Sequence, residues 1–405
     1  MREEGIAPNP STFVFSLKAA GCTKDTQKIQ EIHADIERKG FLEGDLVVGN
    51  TLVDVYAKSG LFQTAEKVFN GLPERDVYSW TSLIAGFVDF GYNKKALDCF
   101  EKMQLKGIQP NAVTYVFCLK ACDIMRDEQK IRELDYEIEK QGLLEKDLVV
   151  GNTLVDLYAK GGLLLMAQNV FDKLPVRDVI SWNALITGYA EHGHVDDVLK
   201  CFDQMHLAGI SPNYVTFVCC LKACASIGAI DKGNEIHAAV ERRGLLAKDP
   251  IGNTLVSMYA KCGLLAEAQV LFDELHVQSG VSWAALAEGY ANHSFTEEAV
   301  KCLDQMLLEK LVLDVALLVC NLKLCGIVGS TFLSLMFHCE IVKEGFASYI
   351  CVVSTIIYQY SKQGLLIETK ETFFELSVRD IIVWTSLISG YDEHDYQQEM
   401  YYLGL

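Results

Sequence analysis

Four tryptophans, Trp80, Trp182, Trp283 and Trp384, stand 102, 101 and 101 residues apart, and the sequence around each recurs with it. Val-Gly-Asn-Thr-Leu-Val-Asp at 48–54 returns at 150–156 and, as Ile-Gly-Asn-Thr-Leu-Val-Ser, at 251–257. Tyr-Ala-Lys-x-Gly ends at Gly60, Gly162 and Gly263, with Tyr-Ser-Lys-Gln-Gly ending at Gly364. Leu-Lys-Ala at 17–19 recurs at 119–121 and 221–223, and Gly-Ile-x-Pro-Asn at 107–111 recurs at 209–213. A chain made of about four copies of one unit folds as an array, because each copy must meet the same neighbours as the last.

Each unit divides again. Leu83, Ile84 and Phe87, then Ala96, Leu97, Phe100 and Met103, recur at helical spacing, with Gly91-Tyr92-Asn93 as a breaker between them. That is a helical hairpin, and the pattern appears three times per unit. Hairpins of two amphipathic helices cannot bury both apolar faces alone, so neighbours stack. The expected fold is all-α: a right-handed α-solenoid superhelix of helix-turn-helix hairpins. Boundaries fall at 10–45, 46–76, 77–111, 112–147, 148–178, 179–213, 214–248, 249–279, 280–314, 315–349 and 350–380, with partial hairpins at 1–9 and 381–405. Met1 to Asn9 falls in register with Met103 to Asn111, so the sequence opens inside a second helix and reads as a piece of a longer chain or as a sequence with a misplaced start.

Composition supports helices and removes several classes. Half of the 405 residues are hydrophobic, which excludes disorder, and 7 prolines against 30 glycines exclude collagen-like fibres. With 36 Lys plus Arg against 54 Asp plus Glu, the net charge of −18 speaks against gripping nucleic acid by bulk positive charge. A local basic groove remains compatible. The 14 cysteines follow no apolar leader and read as reduced thiols. The apolar stretch Val315 to Phe337 is broken by Asn321, Lys323, Gly326 and Gly329, too often for a spanning helix.

The hairpin lengths cycle 35 or 36, 31 and 35, whereas a tetratricopeptide array would keep 34. Together with Gly-Asn-Thr-Leu-Val-Asp-x-Tyr-Ala-Lys-x-Gly, Ser-Trp-Asn-Ala-Leu-Ile-Thr-Gly-Tyr at 181–189, Ala-x-x-Val-Phe-Asp-x-Leu-Pro-x-Arg-Asp at 167–178 and Leu-Lys-Ala-Cys-Ala-Ser-Ile-Gly-Ala at 221–229, this resembles pentatricopeptide repeat proteins. More narrowly it is similar to the plant-type PLS subclass, which alternates P, L and S motifs. By that resemblance 10–45, 112–147, 214–248 and a degenerate 315–349 are L motifs, 46–76, 148–178, 249–279 and 350–380 are S motifs, and 77–111, 179–213, 280–314 and the truncated 1–9 and 381–405 are P motifs.

The resemblance implies single-stranded RNA binding at one base per motif, usually in a mitochondrion or chloroplast. The reading residues are the fifth and last of each motif: Asn50 with Asp76, Thr81 with Asn111, Asn152 with Asp178, Asn183 with Asn213, Asn253 with Ser279, Ala284 with Asp314, and Ser354 with Asp380. The family's pairing rules carry these to U, A, U, C, a pyrimidine, no base, and G. Val14, Val116, Val218 and Val319 stand at the fifth position of the L motifs and space rather than read. Val47, Tyr78, Val149 and Ile180 match the base-sandwiching position, with core packing as the competing reading. For the asparagines the competing reading is helix capping. Lys58, Lys160, Lys261 and Lys362 match the position that meets RNA phosphate, against a bland helix-end role. Asp89, Glu191, Asn292 and Glu393 take that register in the P motifs, so backbone contacts are expected to be sparse and salt-sensitive.

His338-Cys339-Glu340 matches half of a zinc deaminase signature, but Cys-x-x-Cys is absent and the segment is in register with His33-Ala-Asp35 and His237-Ala-Ala239. The cysteines likewise follow the repeat, so neither a metal nor another cofactor is expected. The expectation is a non-enzymatic specificity factor for organellar RNA processing, C-to-U RNA editing above all, acting with an editing or processing enzyme in trans and without a membrane or DNA partner. The rival is a protein-binding scaffold with an acidic concave face, and net charge favours it.

Overall fold

The computed structural model describes residues 8–246, 249–275, 277–308, 315–375 and 381–393. Among them every regular element is helical. The segment 1–7, Asp314 and Asp380 lie outside the described residues. The chain divides into two compact units, Met1–His192 and Gly193–Leu405, and within each one hairpins stack on their neighbours as the repeat requires.

Three forms of hairpin account for the three repeat lengths. One pairs 13-residue helices, Val77–Asp89 and Asn93–Leu105. A second pairs the 14-residue Ala112–Met125 with the 13-residue Glu128–Lys140 and adds one short turn of helix, Leu143–Lys146. The third pairs the 13-residue Leu148–Lys160 with a second helix of only 10 residues, Leu164–Lys173. That helix stops early because Leu174 is extended and Pro175 follows, and a proline disfavours the helical region for the residue before it. Its last carbonyls go to Arg177, whose Nε donates to Phe171 O at 3.0 Å and Nη2 to Asp172 O at 2.9 Å. Arg75 does the same for Phe69 and Asn70.

The recurrent sequence blocks each do one job in this packing. In Tyr-Ala-Lys-x-Gly the glycine takes φ 75° at Gly60 and 74° at Gly162, the left-handed turn that lets the chain reverse into the second helix. A Cβ on Gly188 would fall inside the van der Waals shell of Ala159, so the helices Leu148–Lys160 and Val179–Glu191 approach at backbone distance. The tryptophans pack edge-on against a phenylalanine of the preceding hairpin: Phe69–Trp80 at 4.7 Å, Phe171–Trp182 at 4.6 Å, Phe272–Trp283 at 4.5 Å and Phe373–Trp384 at 4.7 Å between centroids. Trp80 and Trp182 are buried in the core, and Trp283 and Trp384 are partly buried against it. Cys118, Cys122, Cys220, Cys224, Cys302 and Cys325 are buried free thiols, and burial pushes Cys302 up to about 12, so a metal-binding thiolate is disfavoured there. No helix among the described residues is long and apolar enough to cross a membrane.

Candidate nucleic-acid interface

Positions two and five of a first helix are three residues apart and share one face. In Leu46–Lys58 that stripe reads Val47, Asn50, Asp54, Lys58, and in Leu148–Lys160 it reads Val149, Asn152, Asp156, Lys160. In Val77–Asp89 it reads Tyr78, Thr81, Ala85, Asp89, and in Val179–Glu191 it reads Ile180, Asn183, Thr187, Glu191. Val47, Tyr78, Val149 and Ile180 are 62%, 65%, 61% and 60% exposed. Core packing is therefore the wrong reading of them. Val113, Val281 and Ile382 occupy the same register and are exposed as well; sequence reasoning passed over them although the motif register leads to them. One exposed aliphatic is ordinary, whereas here one recurs at a fixed register beside a polar residue.

The structure brings three of the fifth-and-last pairs into direct contact. Asn50 Nδ2 donates to both Asp76 oxygens, at 3.0 and 3.1 Å; Asn152 Nδ2 donates to Asp178 Oδ1 at 3.2 Å, and Asn253 Nδ2 to Ser279 Oγ at 3.0 Å. A carboxylate only accepts, so it turns the amide NH2 of Asn50 and Asn152 inward and leaves each Oδ1 as the spare group. Both Oδ1 atoms are buried without a hydrogen-bond partner. Such an orphan costs about 1–3 kcal/mol, and an N–H from a ligand would relieve it. The N3–H of uracil is a group of that kind.

The last-position residues are also the helix caps. Asp76 accepts from Tyr78 N and Ser79 N, Asp178 from Ile180 N and Ser181 N, and Asn111, Asn213 and Ser279 cap their helices likewise. This corrects the capping reading of the fifth position: Asn50, Asn152, Asn183 and Asn253 lie inside helices that begin four residues earlier. Burial works against the Asp178 charge, but hydrogen bonds from Ser181, Asn152 and Ile180 outweigh it and hold the carboxyl below the usual carboxylate range.

Thr81 and Asn111 are joined through a third residue: Thr81 Oγ1 lies 2.7 Å from Thr114 Oγ1, which donates to Asn111 Oδ1 at 2.9 Å. Asn183 is half-buried in the first unit, and Asn213 caps Tyr214–Ile227 in the second, accepting from Thr216 N and Oγ1, each at 3.2 Å. Ser354 is buried and gives its hydroxyl to Cys351 O at 3.1 Å, so that hydroxyl's proton is already used within its own helix. Val14, Val116, Val218 and Val319 are half-buried and carry no hydrogen-bonding group.

All four lysines end their helices, and each has company. Lys58 pairs with Asp54 at 2.9 Å and Lys160 with Asp156 at 2.7 Å, while Lys261 lies 3.6 Å from Glu288 and Lys362 sits over the Tyr358 ring at 5.1 Å. The Asp156 hydrogen bond raises the Lys160 ammonium above the ordinary lysine value. Exposed pairs of this kind are worth only about 0.3–0.5 kcal/mol, so a phosphate can take the lysine over at little cost. The half-signature at His338 is already engaged, its Nδ1 being 2.8 Å from Tyr360 OH, as His33 is with Tyr56 at 2.9 Å and His237 with Tyr259 at 2.8 Å. Among the described residues no group of three or more His, Cys, Asp or Glu is placed to hold a metal ion.

Comparison with known proteins follows the same residues. The chain matches the PPR repeat family over residues 75–123 and 177–226, and the PPR repeat over 50–77, 152–179, 253–278 and 281–311. A chloroplastic pentatricopeptide repeat-containing protein of Arabidopsis thaliana is 34% identical over 326 residues, or 80% of this chain and 52% of that protein. A mitochondrial one from the same plant is 30% identical over 403 residues, 98% of this chain and 39% of that protein. The chain spans about half the length of the curated relatives it matches. Among solved structures, the pentatricopeptide repeat protein PPR10, known from maize, in complex with an 18-nt psaJ RNA element aligns with a TM-score of 0.52 over 96% of this chain and 62% of that one, at 18% identity, a likeness of fold.

Proposed function

The chain belongs to the pentatricopeptide repeat family, and from that premise we propose that it binds single-stranded RNA, reading one base per S or P hairpin through the fifth and last positions. The observation that carries this is the contact of Asn50 with Asp76 and of Asn152 with Asp178, each beside an exposed apolar side chain and each leaving one unsatisfied amide oxygen. A stacked base covers the aliphatic or aromatic side chain, and its edge meets the amide. The pairs assign U to 46–76, A to 77–111, U to 148–178 and C to 179–213, with the L hairpins as spacers between them.

Three hairpin forms in fixed order support the PLS subclass, and with it a role as specificity factor in organellar RNA processing, C-to-U editing above all, with catalysis supplied in trans. Relatives named chloroplastic and mitochondrial support an organellar site of action. The acidic-scaffold reading draws on the net charge of −18 and on the pairing of Lys58 and Lys160 with aspartates.

A gel-shift series separates the two. The RNA reading expects a single-stranded probe carrying the assigned bases to bind more tightly than a scrambled one, with affinity falling steeply as salt rises above about 0.1 M. Equal binding of both probes, or no binding at lower salt, refutes it.

A further inference from the structure

Building on the RNA reading above, we propose that Thr114, third residue of the helix Ala112–Met125, is a positioning residue that fixes the orientation in which the Asn111 amide, beside Thr81, meets its base. Thr114 is fully buried and belongs to the hairpin after the one whose base it governs. Three contacts compete for two hydroxyl protons: Thr81 Oγ1 to Val77 O at 2.6 Å, Thr81 Oγ1 to Thr114 Oγ1 at 2.7 Å, and Thr114 Oγ1 to Asn111 Oδ1 at 2.9 Å. Either Thr81 donates to Val77 and Thr114 to Thr81, or Thr81 donates to Thr114 and Thr114 to Asn111. Both arrangements spend the Thr81 proton inside the protein. Toward a ligand, Thr81 then only accepts.

Asn111 is held as firmly. The backbone N–H of Thr114 donates to Asn111 Oδ1 at 2.9 Å, which turns the amide oxygen to the cap and leaves the NH2 as the outward group. The pair offers one acceptor and one donor. Adenine, with N6–H2 as donor and N1 as acceptor, complements that order, whereas guanine, with O6 as acceptor and N1–H as donor, reverses it. At the neighbouring junction the corresponding hydroxyl, Ser79 Oγ, donates instead to Asp76 O at 2.9 Å, the carbonyl of the cap and not its side chain. Asn213 is held by Thr216 as Asn111 is by Thr114.

The test uses the whole chain and probes that differ only at the nucleotide facing hairpin 77–111. Thr114→Val leaves the Thr81 proton on Val77 O but removes one of the two bonds holding Asn111, so the Asn111 amide can turn its oxygen toward the base. The adenine-to-guanine affinity ratio should fall roughly fivefold, about the worth of one hydrogen bond. The ratio at the nucleotide facing Asn152 should not change, and Thr114→Ser should restore the first. An unchanged ratio at the 77–111 nucleotide, or a uniform weakening at every nucleotide, overturns the inference while leaving base reading at Asn152 in place. A wild-type chain with no base preference anywhere overturns the RNA reading and this inference together. If Thr114→Val does not fold, judged by its melting curve, Thr114→Ala makes the same test at the same nucleotide.

Discussion

The junction after hairpin 148–178 and the junction after the hairpin starting at Ile350 share their apolar parts and differ in their polar ones. Both seat a tryptophan edge-on against a phenylalanine, Phe171–Trp182 at 4.6 Å and Phe373–Trp384 at 4.7 Å. In the first, Asn152 reaches Asp178 and keeps a spare oxygen; in the second, Ser354 spends its hydroxyl proton on the Cys351 carbonyl of its own helix. Helix packing and the polar face therefore rest on different residues. A copy can change the second and keep the first, because a helix–helix interface needs volume while a polar contact needs an oriented donor or acceptor.

The largest effect should come from attacking what the two junctions share. Trp182→Ala removes a buried ring and should lower unfolding free energy by about 3 kcal/mol or more in urea titration. Trp384→Ala should follow the same course with a smaller loss, since its ring is only partly buried. Copying the second junction into the first, Asn152→Ser, should do the converse. Stability should change by less than about 1 kcal/mol, while the preference for uracil over guanine at one nucleotide falls about tenfold, the lower part of the range for an oriented polar contact.

Smaller effects sharpen the contrast between early and late copies. Ser294 sits at φ 66° where Gly91 and Gly193 stand in earlier hairpins, so Ser294→Gly should raise stability by about 1 kcal/mol, read as a shift in the urea midpoint. Asp156→Asn frees Lys160 and removes a negative charge from the stripe, which should tighten RNA binding about threefold at low salt and leave it unchanged at high salt. The smallest is a pH effect. The lowered Asp178 carboxyl contributes stability above its unfolded value of about 3.9 and loses it as pH falls through the lower folded value. The stability difference between the wild type and Asp178→Asn should thus be flat from about pH 5 to 8 and shrink only below about pH 4.

Much of this was legible in the sequence. The 102-residue period, the turn glycines and the tryptophan register give hairpins and their packing, because apolar spacing and left-handed turns are local signals. Polar partnerships were harder to read. Asp54 and Asp156 each stand four residues before a lysine, a spacing that already implies an ion pair and that the motif register obscured. The Thr81–Thr114–Asn111 chain crosses two hairpins, so it follows only from the distance between their helices. Ser354 shows the limit of register altogether: a hydroxyl can bond its own helix, and composition does not say which way it turns.

The central claim is that the residue at position 152, set against Asp178, chooses a base. The direct measurement is the affinity of the wild type and of Asn152→Thr for four RNAs that differ only at the nucleotide facing hairpin 148–178. The wild type should prefer uracil, and the variant, with a smaller side chain whose proton goes to its own helix, should move its preference to a purine at that nucleotide alone. The same preference in both proteins would contradict the account.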